Sequence, residues 1–165
     1  MCCYLTFFPP RPTLQVRSVL GPDIILWGAQ LFHKRAHTGL EVPWHQDGRF
    51  WPIHPPATCS VWVAIDAADR DNGAMGFLPG SHTARTLFPH ETDNSVTLAL
   101  NQKLDFHSAA AESACPPLAE KSAELNVLAA GELSLHDVYL VHNSRPNLSD
   151  QRRGGFVMRY MPSSS

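Results

Sequence analysis

Fourteen prolines and ten glycines cut this 165-residue chain into apolar runs too short for long helices. Short runs punctuated by turn residues predict β structure. Residues 60–67 (SVWVAIDA) alternate Val61, Val63 and Ile65 with Trp62, Ala64 and Asp66, the period-two pattern of a strand with two different faces. Residues 24–32 (IILWGAQLF) read as an earlier strand, and Asp71-Asn72-Gly73 as a turn leading into a strand over 74–78. Further strands are expected over 124–128, 132–136, 138–142 and 155–161. Residues 83–122 read as a long loop with one short helical turn, and residues 1–20 as an irregular segment ahead of a single domain spanning 21–162. Many short strands with turn signals predict an all-β sandwich or barrel.

The bulk numbers narrow the class of partner. With 44% hydrophobic and 17% charged residues the chain has the composition of a globular domain. A net charge of −2 and no long basic run argue against nucleic acid and anionic membrane. Four cysteines, none in a CxxC pair, suit a reducing compartment, although Cys2-Cys3 also fits a weak lipidation signal. No apolar run is long enough to span a bilayer, no signal peptide or peroxisomal tail is evident, and a cytoplasmic location is expected.

The chemistry-bearing residues are few. His45 and Asp47 are two apart, so on an extended strand both point to one face while Trp44 and Gln46 point to the other. His142, at the end of the apolar run Val138-Tyr139-Leu140-Val141, adds a second imidazole from elsewhere in the chain. Two imidazoles and one carboxylate with open positions are the ligand set of non-haem Fe(II), and Zn(II) accepts the same donors. Alone, an HxD pair is more often a solvated strand end, and a lone histidine a hydrogen-bonded core residue. Arg153, eleven residues past His142, shifts that balance. Its planar fork suits the distal carboxylate of 2-oxoglutarate, with Ser144 on the His142 face as a second donor. Arg152 is a rival for the role, a surface salt bridge is the plain alternative for Arg153, and Ser144 reads equally as the cap of a turn.

The segments WHQDGRFWP, DNGAMGFLPGSH and LVHNSRPNLSDQRRGGFVMRY resemble the phytanoyl-CoA dioxygenase family of Fe(II)/2-oxoglutarate oxygenases. The last segment supplies His142, Ser144, Asn147, Ser149 and Arg153 at the family spacing, and the resemblance runs from about residue 21 to residue 161. It implies a double-stranded β-helix, a jelly-roll, cupin-like barrel with the metal at one open end. It also implies His45, Asp47 and His142 as iron ligands, with Arg153, Ser144, Trp62 and Gln30 around 2-oxoglutarate and O2 as the second cosubstrate. Trp62 reads equally as core and Gln30 as a ladder-end polar group, while Lys34 stands where a lysine is common in the family and reads equally as a solvated charge. The N-terminal helices that buttress the barrel in this family are expected to be shortened or absent here. Arg145 stands where a glycine is common, and its side chain is expected either to narrow the pocket mouth or to meet an acidic substrate.

The implied reaction couples decarboxylation of 2-oxoglutarate to succinate and CO2 with hydroxylation of a small organic substrate. Retention of Asp47 argues against a halogenase. The competing expectations are a truncated, non-catalytic relative with a binding role, and a zinc-dependent cupin-like isomerase or hydrolase that needs no carboxylate anchor at Arg153.

Overall fold

The computed structural model describes residues 11–114 and 118–165, so Cys2, Cys3 and Cys115 lie outside the described residues. After helix α1 (Arg11–Leu20) come strands β1 (Ile24–Lys34), β2 (Val42–His45), β3 (Cys59–Ala64), β4 (Met75–Phe77), β5 (His90–Thr92) and β6 (Gln102–Leu104). A short helix α2 (Ala109–Glu112) precedes β7 (Glu124–Leu125), β8 (Leu133–Asp137), β9 (His142–Ser144) and β10 (Arg153–Pro162). Two four-stranded antiparallel sheets result, ordered β1-β10-β3-β8 and β2-β9-β4-β7. Their interleaved strand order is that of the expected jelly roll.

The alternation read in residues 60–67 becomes the two faces of the larger sheet. Cys59 and Val61 join Met158 and Tyr160 on the outer face, packed with Val63, Leu133, Leu135 and Phe156. Trp62, Ala64 and Val157 line the inner face. The strand stops at Ala64 rather than residue 67, because the N–H groups of both Ile65 and Asp66 turn to the Gly154 carbonyl. Cys59 is a free thiol, pushed up to about 11 by burial and by Asp137.

Three expectations are corrected. Residues 11–20 form a helix, whose Val16 and Leu20, four apart, pack on the outer face of the larger sheet. The signals were present: Pro12 near the start, then Gly21 at φ +94° just past the end, where its N–H bonds the Arg17 carbonyl. Residues 138–141 form a turn, and His142 opens β9 instead of ending a strand. Asp137 causes this, since its carboxylate accepts from the Tyr139 N–H and its carbonyl from the Leu140 N–H. Residues 83–122 contain the β5–β6 hairpin in addition to the helical turn.

Candidate metal and cosubstrate site

His45 ends β2, Gln46 is extended at φ −122° and ψ 130°, and Asp47 begins a single 3-10 turn over Asp47–Arg49. The expected alternation therefore holds across the strand end. Gln46 points away from the site and is wholly buried. Its amide donates to the Thr86 and Tyr139 carbonyls at 2.9 and 2.7 Å, and its carbonyl accepts from the Phe88 N–H at 2.8 Å. These bonds fix the backbone between the two site residues. Gly48 continues the turn where a Cβ would lie 2.8 Å from Leu87 Cδ2 and 3.1 Å from Val138 Cγ2, so a larger residue would have to displace these side chains.

His45 is the cross-strand partner of His142, their ring centroids 4.2 Å apart. Each ring is oriented by its own backbone: His45 Nδ1 meets the Pro43 carbonyl at 2.8 Å, and His142 Nδ1 the Leu140 carbonyl at 2.9 Å. A carbonyl only accepts, so each Nδ1 carries the proton and each Nε2 lone pair is left for the site. Those Nε2 atoms lie 3.7 and 3.9 Å from Asp47 Oδ1, and the three donor atoms fall within 4.8 Å of one another. Burial first, and the neighbouring His45 imidazole second, push His142 down to about 3, so its ring is neutral. Burial alone would raise Asp47, but the imidazoles of His136, His45 and His142 outweigh it and hold the carboxyl well below the usual carboxylate range. Two imidazole nitrogens and one carboxylate oxygen converging on one point are a donor set for a divalent cation.

His136 belongs to this site and was not singled out in the sequence. It is buried on β8, its Nε2 3.6 Å from Asp47 Oδ2 and its ring 5.0 Å from that of His142. Ser60 Oγ lies 3.5 Å from the same oxygen. The signal lay in the alternation of β8, where Leu133 and Leu135 take the outer face and leave Ser134 and His136 facing inward.

Arg153 opens β10 and is buried. Its Cζ lies 5.4 Å from the Trp62 ring, and its Nε is buried without a partner. Among the described residues no hydrogen bond or ion pair reaches its guanidinium. Burial pushes it down to about 10, still charged at neutral pH. Trp62 is held flat by Gly155, where a Cβ would fall 2.2 Å from Trp62 Cζ2. Arg152 is no rival: it is exposed and paired with Asp66, Nε to Oδ2 at 3.0 Å.

Lys34, for which a solvated charge is one of the two expectations, is instead buried beside Arg153, its cross-strand partner. Its Nζ donates to the carbonyls of Leu40, Ser144 and Arg145 at 2.5, 3.0 and 2.6 Å. Burial first, and Arg153 second, push it down to about 7. Asn147 is buried below it, donating to the Lys34 and Gln151 carbonyls and accepting from Ser149 N and Oγ. Ser144 is buried on β9, two residues past His142 on the same face. Gln30 shares a rung with Val157 and Trp62 but is exposed, on the outermost strand of the larger sheet. Arg145 lines a cleft of about 590 Å3 with Trp44, Gly76 and Asn143, residues that alternate with those facing the triad.

Comparison with known proteins follows this geometry. A family profile described as phytanoyl-CoA dioxygenase matches residues 3–155. The phytanoyl-CoA dioxygenase domain-containing protein 1 of Mus musculus is 30% identical over 157 residues, covering 92% of this chain and 50% of its own. A probable alpha-ketoglutarate-dependent hypophosphite dioxygenase of Stutzerimonas stutzeri is 28% identical, covering 88% and 48%. The chain thus spans about half the length of these curated relatives. Among solved structures, the apo form of the non-heme monooxygenase ThoJ superposes with a TM-score of 0.72 at 29% identity, covering 93% of this chain and 52% of its own. EvdO2 from Micromonospora carbonacea var. aurantiaca, complexed with 2-oxoglutarate, shares the fold with a TM-score of 0.74 at 24% identity, covering 93% and 59%.

Proposed function

Because the chain belongs to the phytanoyl-CoA dioxygenase family, we propose that it is an Fe(II)- and 2-oxoglutarate-dependent oxygenase that hydroxylates a small organic substrate with release of succinate and CO2. The observation that carries this reading is Arg153, a buried cation with no counter-ion among the described residues, in the same barrel as a His-Asp-His donor set. A buried unpaired charge is costly, and a ligand carboxylate would relieve that cost.

In this reading His45, Asp47 and His142 hold Fe(II). Arg153 and Ser144 bind the distal carboxylate of 2-oxoglutarate, Trp62 walls the cosubstrate, and Gln30 closes the same rung at its edge. When bound, iron with 2-oxoglutarate supplies the O2-dependent oxidation. The chain's own residues orient the reactants. The Pro43 and Leu140 carbonyls fix which imidazole nitrogen faces the ion, Gln46 fixes the angle between His45 and Asp47, and Lys34 pins the backbone of Ser144. Buried Trp62 and Val157 exclude water from the cosubstrate side.

The test is an anaerobic titration with Fe(II) and 2-oxoglutarate, followed by succinate assays across substrate classes. A metal-to-ligand charge-transfer band requiring both additions is expected, lost in His45→Ala. Arg153→Ala should weaken 2-oxoglutarate binding by about tenfold or more, the scale of a lost charge-assisted hydrogen bond. Unchanged 2-oxoglutarate affinity in Arg153→Ala would sink the reading and favour the zinc-dependent alternative. A second reading, a non-catalytic relative with a binding role, is favoured by the exposure of Gln30 and Phe32 on β1. It predicts the charge-transfer band with no succinate for any substrate.

A further inference from the structure

The inner face of the larger sheet carries a second arginine that the cosubstrate reading does not use. Arg159 lies six residues beyond Arg153 on β10 and shares a rung with Gly28, Ser60 and His136. Cross-strand partners in one rung point to one face. Ser60 and His136 both reach Asp47 Oδ2, so Arg159 belongs to the rung that carries the contacts to the metal-site carboxylate. Arg153, by contrast, pairs with Lys34 at the far end of the strand.

The surroundings of Arg159 are aromatic. Its Cζ lies 5.3 Å from the Trp51 ring and 5.7 Å from the Phe32 ring. Trp51 follows the metal-site turn by two residues and stacks edge-on against Trp27 at 4.9 Å. Two N–H donors in this cluster, Arg159 Nε and Trp27 Nε1, are buried without a hydrogen-bond partner. Among the described residues no carboxylate pairs with Arg159. Buried donors without acceptors are uncommon in folded proteins, and a guanidinium fork flanked by rings suits an oxyanion on an apolar body.

We propose that Arg159, with Trp27, Trp51 and Phe32, binds an oxyanionic group of the prime substrate, a carboxylate or a phosphorus oxyanion, beside the metal site and apart from the Arg153 cosubstrate site. The proposal rests on the oxygenase reading and deepens it: the substrate is an organic anion with an apolar portion.

The test uses hexanoate, hexylphosphonate and the neutral hexanamide as probes, titrated by ligand-observed NMR into the full chain loaded with Ni(II). 2-Oxoglutarate binding is followed separately, in the anaerobic Fe(II) sample. Both acids should bind at least about tenfold more tightly than the amide, the scale of one charge-assisted hydrogen bond, and the tighter acid identifies the oxyanion. Arg159→Met should remove that preference while retaining 2-oxoglutarate binding, and Arg153→Met should do the reverse. Arg159→Lys keeps the charge and the stem, guards against loss of fold, and should keep the preference at weaker affinity. Equal binding of acid and amide overturns the proposal. So does an acid preference that survives Arg159→Met, or loss of 2-oxoglutarate binding in that variant. If wild-type protein prefers the acids through Arg159 yet binds no 2-oxoglutarate, the oxygenase reading falls, and the anion site loses its role as a substrate site.

Discussion

At the scale of single residues, the decisive group is the second oxygen of Asp47. Oδ1 faces His45 and His142, while Oδ2 faces His136 and Ser60. A carboxylate held on both oxygens cannot swing away from an ion on one side. Groups that hold a ligand in this way typically contribute 10- to 100-fold to metal affinity. His136→Ala should therefore weaken Fe(II) binding by about tenfold or more while leaving the three donors in place, read by competition with a chelating dye. Affinity equal to wild type would make His136 mere packing. His45, Asp47 and His142 were legible in the sequence because their donors are rare residue types at a spacing a strand converts into one face. His136 was hidden because a histidine in an alternating strand resembles any half-buried polar residue until its rung partner is known.

At the scale of elements, the loop from β9 to β10 delivers Arg153, and its polar residues hold it there. Asn147 closes it through the Lys34 and Gln151 carbonyls, and Lys34 pins its entrance through Ser144 and Arg145. The sequence displayed Asn147 and Ser149 as a motif, but not that they act on backbone. The β5–β6 hairpin was unreadable for a related reason: His90-Glu91-Thr92 and Gln102-Lys103-Leu104 offer almost no apolar alternation, and Lys103 is held instead by Glu91 and Asp93. Lys34 also yields a prediction about protons. Burial and Arg153 hold it near 7, so it is charged at pH 6 and largely neutral at pH 8. A carboxylate at Arg153 would offset the arginine's charge and raise Lys34, so 2-oxoglutarate binding should take up a proton at pH 8 and none at pH 6. Affinity should then fall as pH rises above 7, by up to about tenfold per unit. Calorimetry in buffers of different ionisation enthalpy reads the uptake, and Lys34→Met should abolish it. Uptake that persists in Lys34→Met would assign the proton elsewhere.

At the scale of the whole molecule, the larger sheet separates stability from chemistry. Its outer face packs Val16 and Leu20 of α1 against Cys59, Val61, Met158 and Tyr160, while its inner face presents Ser60, Trp62, His136, Arg153 and Arg159. No helix among the described residues is long and apolar enough to cross a membrane; α1 packs Val16 and Leu20 on this face and leaves Leu14 and Val19 exposed. The strand period announced both faces of β3, but nothing local said which face a helix would cover; that depends on Val16 and Leu20 meeting β3 and β10, strands distant in the chain. Because the two faces share only backbone, a cavity under the helix should be felt in stability and not at the metal. Val16 is wholly buried, and Val16→Ala removes two methyl-sized groups, a loss of about 1–3 kcal/mol from transfer and cavity terms together. Urea unfolding should show a lower midpoint with an unchanged slope, and Fe(II) and 2-oxoglutarate affinities measured below the transition should match wild type. A variant that loses cosubstrate affinity in step with stability would show that α1 sets the barrel's inner geometry as well as covering its outer face.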